Sequence, residues 1–356
     1  DMKNGEKRLF TALCSYKEEN FNAELLYYAT PAVLGSLFMN RMQGIAFGVL
    51  KKHGAASDVC REFGNSLKAA AKNNEEKNAD FYKAVKYVSG IVKESGVCAA
   101  FLKGALLCGK YPKGFRTSND IDILLSPADV SFLGKELLKN GFMQGKIRNG
   151  EFVPAERSEI ISSKINRGET VPYVKETDLP KMKFLEVDLN FSLDCKTDDG
   201  NSLGKMLEKT ENADVCGASF PTLCKADFFI YLCLHLYKEA ANLPWIKMKR
   251  DMTLYKYCDI YSLLEEMTDC DLAEIFERAE ELGAEKETAF AIIQTAALFN
   301  MKNRRFAATA ERYIKDKTFF DRVFSPSEKK TYLYKEASVS DRFFSDDRLS
   351  LLTEEP

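Results

Sequence analysis

Asp120 and Asp122 stand one residue apart in "NDIDILL", a run that is otherwise apolar after its first aspartate. In a strand, alternate side chains share a face, so the two carboxylates point one way while Ile121 and Ile123 point into a core. Like charges this close repel and raise one pKa unless a cation lies between them, and hard carboxylate oxygens favour magnesium or manganese. A DxD by itself reads as readily as a loop at a strand start. The same alternation recurs in "FLEVDLNFSL", where Glu186, Asp188 and Asn190 share one face and Val187, Leu189 and Phe191 the other. If the two strands are neighbours, Asp188 or Glu186 completes a three-carboxylate site of the kind that holds two metal ions about 3.5 to 4 Å apart. Asp188 is preferred, because apolar residues flank it directly as they flank Asp122.

Upstream, Lys103 and Gly104 lie between a strand, "VCAAFL", and a short helix, "ALLCGKY". A missing side chain there lets phosphate oxygens approach backbone N–H groups, and the lysine adds a positive charge. Alone, a Lys-Gly pair is a tight turn.

These residues need a sheet to hold them. "DIDILL" reads as a strand, "PADVSFLGKELLKNGF" as a helix ending at Gly141, "YVKET" and "KFLEVDLNFSL" as further strands, and "GNSLGKMLEKTENA" as a helix. Before them, "NAELLYYATPAVLGSLFMNRMQGIAFGVLKKHG" and "ADFYKAVKYVSGIVKESG" carry helical spacing, joined through "KAAAKNNEEKNAD", a charged exposed helix or connector with no assigned chemistry. After Pro221 the periodicity is helical throughout. The expected fold is α+β: an N-terminal helical region at 1–79, a mixed β-sheet core with helices at 80–219, and a C-terminal all-helical domain at 220–356.

The chain has 356 residues, 45% hydrophobic and 29% charged, with a formal net charge of -2. That is an ordinary globular balance, with no footprint for broad duplex DNA binding. Ten cysteines without a CxxC pair and only two histidines argue against a structural zinc. The first residues lack the apolar core of a secretory signal, and no run approaches the roughly 20 apolar residues a transmembrane helix needs. No membrane partner is expected, and reduced thiols point to the cytoplasm.

The order strand, glycine turn, helix, Arg-x-Ser-x-Asp-x-Asp and a later apolar-Asp-apolar strand resembles the nucleotidyltransferase superfold of the polymerase-beta type. More closely, "FLKGALL", "YPKGFRTSNDIDILL" and "VDLNFSL" are similar to the bacterial family of uncharacterised nucleotidyltransferases, over roughly residues 80 to 265. The resemblance implies a nucleotidyltransferase-type mixed sheet with carboxylates on neighbouring strands and a helical domain closing over the nucleotide. By position, Asp120 and Asp122 match paired metal ligands and Asp188 the third carboxylate. Arg116 and Ser118 match the residues preceding the pair, where Arg116 neutralises triphosphate or orients the metal loop. The superfold's turn is usually Gly-Ser or Gly-Gly-Ser. Here it reads Lys103-Gly104-Ala105, without the serine hydroxyl.

In the later helices, Lys238 is a candidate triphosphate contact, equally a solvated lysine. His235 reads as a hydrogen-bonded structural histidine, near Tyr231 and Lys238. Trp245, the only tryptophan, could stack on a base, although core anchoring is the commoner fate. Asp259 resembles a family position with no derivable chemistry. The expected activity is magnesium- or manganese-dependent transfer of a nucleotidyl group from an NTP to an acceptor hydroxyl on a small molecule, protein or RNA, with release of pyrophosphate. Lys103, Gly104 and Arg116 would hold phosphates. The alternatives are a nucleotide-binding scaffold or sensor without turnover, and a toxin-like transferase acting on tRNA or protein.

Overall fold

The computed structural model describes residues 2–166, 168–193, 201–301 and 305–355. Contacts divide the chain into two units, Lys72–Phe228 and Asp1–Ala71 with Phe229–Pro356. The first is built on an eight-stranded sheet. Its strands are β1 (Ala99–Phe101), β2 (Asp120–Leu125), β3 (Met143–Arg148), β4 (Glu151–Pro154), β5 (Tyr173–Leu179), β6 (Met182–Asn190), β7 (Thr210–Val215) and β8 (Ala218–Leu223), in the order β4-β3-β5-β6-β2-β1-β8-β7. The β2–β6 and β1–β8 pairs are parallel and the remaining pairs antiparallel, so the sheet is mixed.

Alternation decides which face of this sheet is dry. Ile121, Ile123, Val187 and Leu189 are fully buried, in one core with Phe81, Val85 and Val88 of the long helix Arg61–Ser95 and with Leu133 and Leu137 of the helix Val130–Lys139. Each such side chain contributes about 1.5 to 3 kcal/mol of burial energy, which fixes the register of β2 and β6, since a one-residue slip would put isoleucines in water and aspartates in the core. Gly134 lets the second helix lie close on the sheet: a Cβ there would fall 2.2 Å from the Tyr173 hydroxyl.

Of two segments read from periodicity, the first is resolved between its two alternatives and the second departs from the reading. "KAAAKNNEEKNAD" is the unbroken middle of the 35-residue helix Arg61–Ser95. In "GNSLGKMLEKTENA", of which Gly200 lies outside the described residues, the helix covers only Asn201–Leu207; Thr210–Val215 is the edge strand β7, folded onto β8 at a Cys216-Gly217 turn whose φ angles are 50° and 79°. Local helix propensity there is overridden by cross-strand pairing.

The second unit is mainly helical but carries an antiparallel sheet of β9 (Arg322–Ser325), β10 (Lys330–Tyr334) and β11 (Leu352–Glu354), which corrects the all-helical expectation for 220–356. Val323 and Tyr334 of this sheet pack with Leu243 and Ile246. These strands are short, and β11 lies far along the chain from β10, so helical periodicity upstream masked them. Among the described residues no helix is long and apolar enough to cross a membrane.

Candidate active site

Parallel pairing of β2 with β6 sets Asp120 opposite Glu186 and Asp122 opposite Asp188. Because the partnered residues sit on the face away from the isoleucine core, the acidic side chains of two sequence segments more than 60 residues apart form one surface. Asn190 lies two residues beyond Asp188 on the same face and its Nδ2 donates to Asp122 Oδ1 at 3.3 Å. Asp122 and Asn190 are both only 6% exposed, whereas Asp120, Glu186 and Asp188 are half-buried.

The Lys-Gly turn reaches this face through β1. Antiparallel pairing sets Phe101 opposite Ile123, and the Leu102 N–H donates to the Asp122 carbonyl at 3.0 Å. The chain then turns at Lys103 with φ 43° and ψ −111°, a region that disfavours any residue with a Cβ. This turn brings the Lys103 ammonium to 2.7 Å from Asp122 Oδ1. Gly104 starts the helix Gly104–Lys110, and a Cβ on it would lie 2.4 Å from both Cβ and Oγ of Ser118. Ser118 Oγ in turn donates to Asp120 Oδ1 at 3.0 Å. The glycine is therefore required by close packing against the serine that orients Asp120, in addition to any role toward phosphate.

The loop before β2 is held from the long helix. Asn74 Nδ2 donates to the Gly114 carbonyl at 2.9 Å, Asn78 Nδ2 to the Arg116 carbonyl at 2.7 Å, and the Lys77 ammonium to Asn119 Oδ1. Arg116 is buried, with its guanidinium donating to the Thr117 carbonyl inside the loop. Sequence reasoning left Asn74, Lys77 and Asn78 without a role. Their signal was present as three helix-poor asparagines, Asn73, Asn74 and Asn78, in the interior of a helix. It also missed Glu169, whose backbone bridges Asn190 in an antiparallel pair at the β6 end. Directly opposed residues share a face, so Glu169 borders the acidic surface.

Burial raises the Asp122 carboxyl, opposed by the Lys103 ammonium and reinforced by Asp120. Burial also pushes Asp188 well above the usual carboxylate range, with further repulsion from Asp122, Asp120 and Glu169. Burial and then Asp120 raise Glu186. Of the central pair, Asp122 has the direct ammonium partner among the described residues, whereas burial and the surrounding carboxylates together raise Asp188. Clustered oxygens that repel one another match the donor chemistry of a hard divalent cation. Among the described residues no three His, Cys, Asp or Glu side chains converge as a finished metal cage. The Lys103 ammonium is placed on the Asp122 oxygen, as a cation on this face would be, and Ser118 holds an oxygen of Asp120.

Six of the sequence-predicted residues thus meet: Lys103, Gly104, Ser118, Asp120, Asp122 and Asp188, with Arg116 in the adjoining loop. Lys238 belongs to the other unit, half-exposed on the helix Lys225–Ala240. On that helix His235 Nε2 lies 3.4 Å from Glu239 Oε1 and its ring stacks on Tyr231. Trp245 is half-buried with the Lys256 ammonium 5.7 Å from its ring, and Asp259 is buried.

No curated protein matches the chain. A solved structure of an antigenic nucleotidyltransferase-like protein from Paracoccidioides brasiliensis is similar over 58% of this chain and 93% of its own, at 14% identity and a TM-score of 0.32. Residues 31–300 match the family described as uncharacterised nucleotidyltransferase, a span that takes in flanking helices as well as the sheet. The chain belongs to the uncharacterised nucleotidyltransferase family.

Proposed function

We propose that the protein transfers a nucleotidyl group from an NTP to an acceptor hydroxyl and releases pyrophosphate. The observation that carries this is the register placing Asp122 beside Asp188 with the Lys103-Gly104 turn at the same end of the strands. Asp120, Asp122 and Asp188 would hold magnesium or manganese, which supplies charge neutralisation at the phosphates and at the acceptor oxygen. Ser118 and Asn190 orient Asp120 and Asp122, and the asparagines of the long helix keep the intervening loop from moving. Lys103, freed from Asp122, contributes a positive charge to the phosphates. Asp188, made more basic by burial and by the carboxylates around it, is the group suited, in its carboxylate form, to accept the acceptor's proton and pass it on.

The Lys103–Asp122 ion pair also supports a second reading, a nucleotide-binding protein without turnover in which the lysine occupies the cation position. One experiment separates the two. The full chain is incubated with magnesium, a cell extract and each NTP labelled at the α- or the γ-phosphate. Transfer of α-label to an acceptor supports the first reading and identifies the acceptor class as small molecule, protein or RNA. Transfer of γ-label alone contradicts nucleotidyl transfer. Nucleotide binding with no transfer supports the second reading.

A further inference from the structure

A cavity of about 690 Å³ lies on the other side of the loop that precedes Asp120. The helix Gly104–Lys110 connects the two places: its first residue packs on Ser118 beside the acidic face, while Cys108 and Gly109 at its far end line the cavity. The loop does the same in reverse, with Tyr111, Lys113 and Gly114 in the cavity wall and Ser118 at Asp120. The cavity is therefore distinct from the carboxylate site and shares two walls with it.

Its lining has a definite chemistry. Tyr82 and Tyr111 are buried and give it apolar surface. Lys83, Lys86 and Lys113 bring three ammonium groups against one carboxylate, Glu75. Lys83 is paired with Asp80 at 2.8 Å, whereas Lys86 and Lys113 are exposed and make no ion pair among the described residues. Asn78 also lines the cavity. Its Nδ2 is committed to the Arg116 carbonyl, but its Oδ1 is buried with no hydrogen-bond partner.

We propose that this cavity is a second ligand site, which takes a small phosphate monoester with an apolar body. The phosphate meets Lys86 and Lys113, and the body lies along Tyr82 and Tyr111. Because Asn78 clamps Arg116, an occupant touches the residue that holds the loop leading to Asp120. The proposal goes beyond nucleotidyl transfer and does not depend on it.

The test uses the full chain in chelator, with 4-hydroxyphenyl phosphate as the probe and hydroquinone and inorganic phosphate as controls. Saturable binding of the probe is expected, at least tenfold tighter than either control. Lys86→Glu with Lys113→Glu should weaken it at least tenfold while leaving the melting temperature intact, because both side chains are solvated. Asp120→Asn with Asp122→Asn should bind as the parent does. Cys216, exposed at the cavity rim, should be alkylated more slowly with probe present, while exposed Cys60 and Cys270 react unchanged. Absence of saturable binding, binding that survives the lysine variants, binding lost in the aspartate variant, or an unprotected Cys216 would each overturn the assignment.

Discussion

Asp122 and Asp188 are direct partners across the parallel strands β2 and β6, and among the described residues only Asp122 of the two has an ammonium ion-paired to it. This asymmetry gives the two carboxylates different electrostatic surroundings. The first expectation concerns stability. The Asp188 carboxyl is raised in the folded protein, so the folded state keeps a proton that the unfolded chain releases at about pH 4. Stability is then full below that pH and falls as pH rises through the raised value. In chelator, Asp188→Asn should be more stable than the parent near neutral pH, on the order of 1 kcal/mol, with the difference shrinking toward pH 4. Denaturant melts across pH check this; a variant less stable than the parent at neutral pH would contradict it.

The second expectation separates binding from transfer. Asp188→Asn should keep most magnesium-NTP affinity and lose roughly 10² to 10⁴ in single-turnover rate once the acceptor is known. Glu186→Gln should retain substantial activity, since its register partner is Asp120 and not Asp122. The reverse pattern, an inactive Glu186→Gln beside an active Asp188→Asn, would move the third carboxylate to Glu186.

Lys103 combines backbone strain with an ammonium placed against Asp122. A positive φ on a residue with a Cβ costs about 1 to 3 kcal/mol, which glycine does not incur. Lys103→Gly should therefore be at least as stable as Lys103→Ala, while both lose triphosphate affinity more than monophosphate affinity. Equal losses for the two ligands would place the ammonium away from the phosphates.

The glycine beside it is predicted to fail for a packing reason. Gly104→Ala drives a Cβ into Ser118 and should cost about 1 to 3 kcal/mol while displacing the Asp120 partner. Introducing Ser118→Gly into the same chain should restore most of the stability. No rescue would mean that the clash is relieved elsewhere.

Much of this site was legible because strand alternation is local: Asp120, Asp122, Glu186, Asp188 and Asn190 announce a shared face from their spacing alone. The pairing partner of each residue was not, because the neighbour relation of β2 and β6 is set by contacts across more than 60 residues. The Gly104–Ser118 contact was hidden for the same reason, and glycine was credited only with backbone access. Asn74 and Asn78 were passed over because a polar helix segment ordinarily faces water, and only the folded loop 112–119 gives them carbonyls to hold. The small sheet β9–β11 was missed because strands of three to five residues carry too few alternations to stand out from helical periodicity.

The claim on which the rest depends is that Asp120 and Asp122 together bind an NTP through a divalent cation. Calorimetric titration of NTP in the presence of magnesium, and again in chelator, compares the parent with the Asp120→Asn, Asp122→Asn double variant. The expected result is tight, magnesium-dependent binding by the parent and a loss of at least a hundredfold in the double variant, with its fold intact by circular dichroism. Magnesium-dependent NTP affinity that is unchanged in the double variant would contradict it.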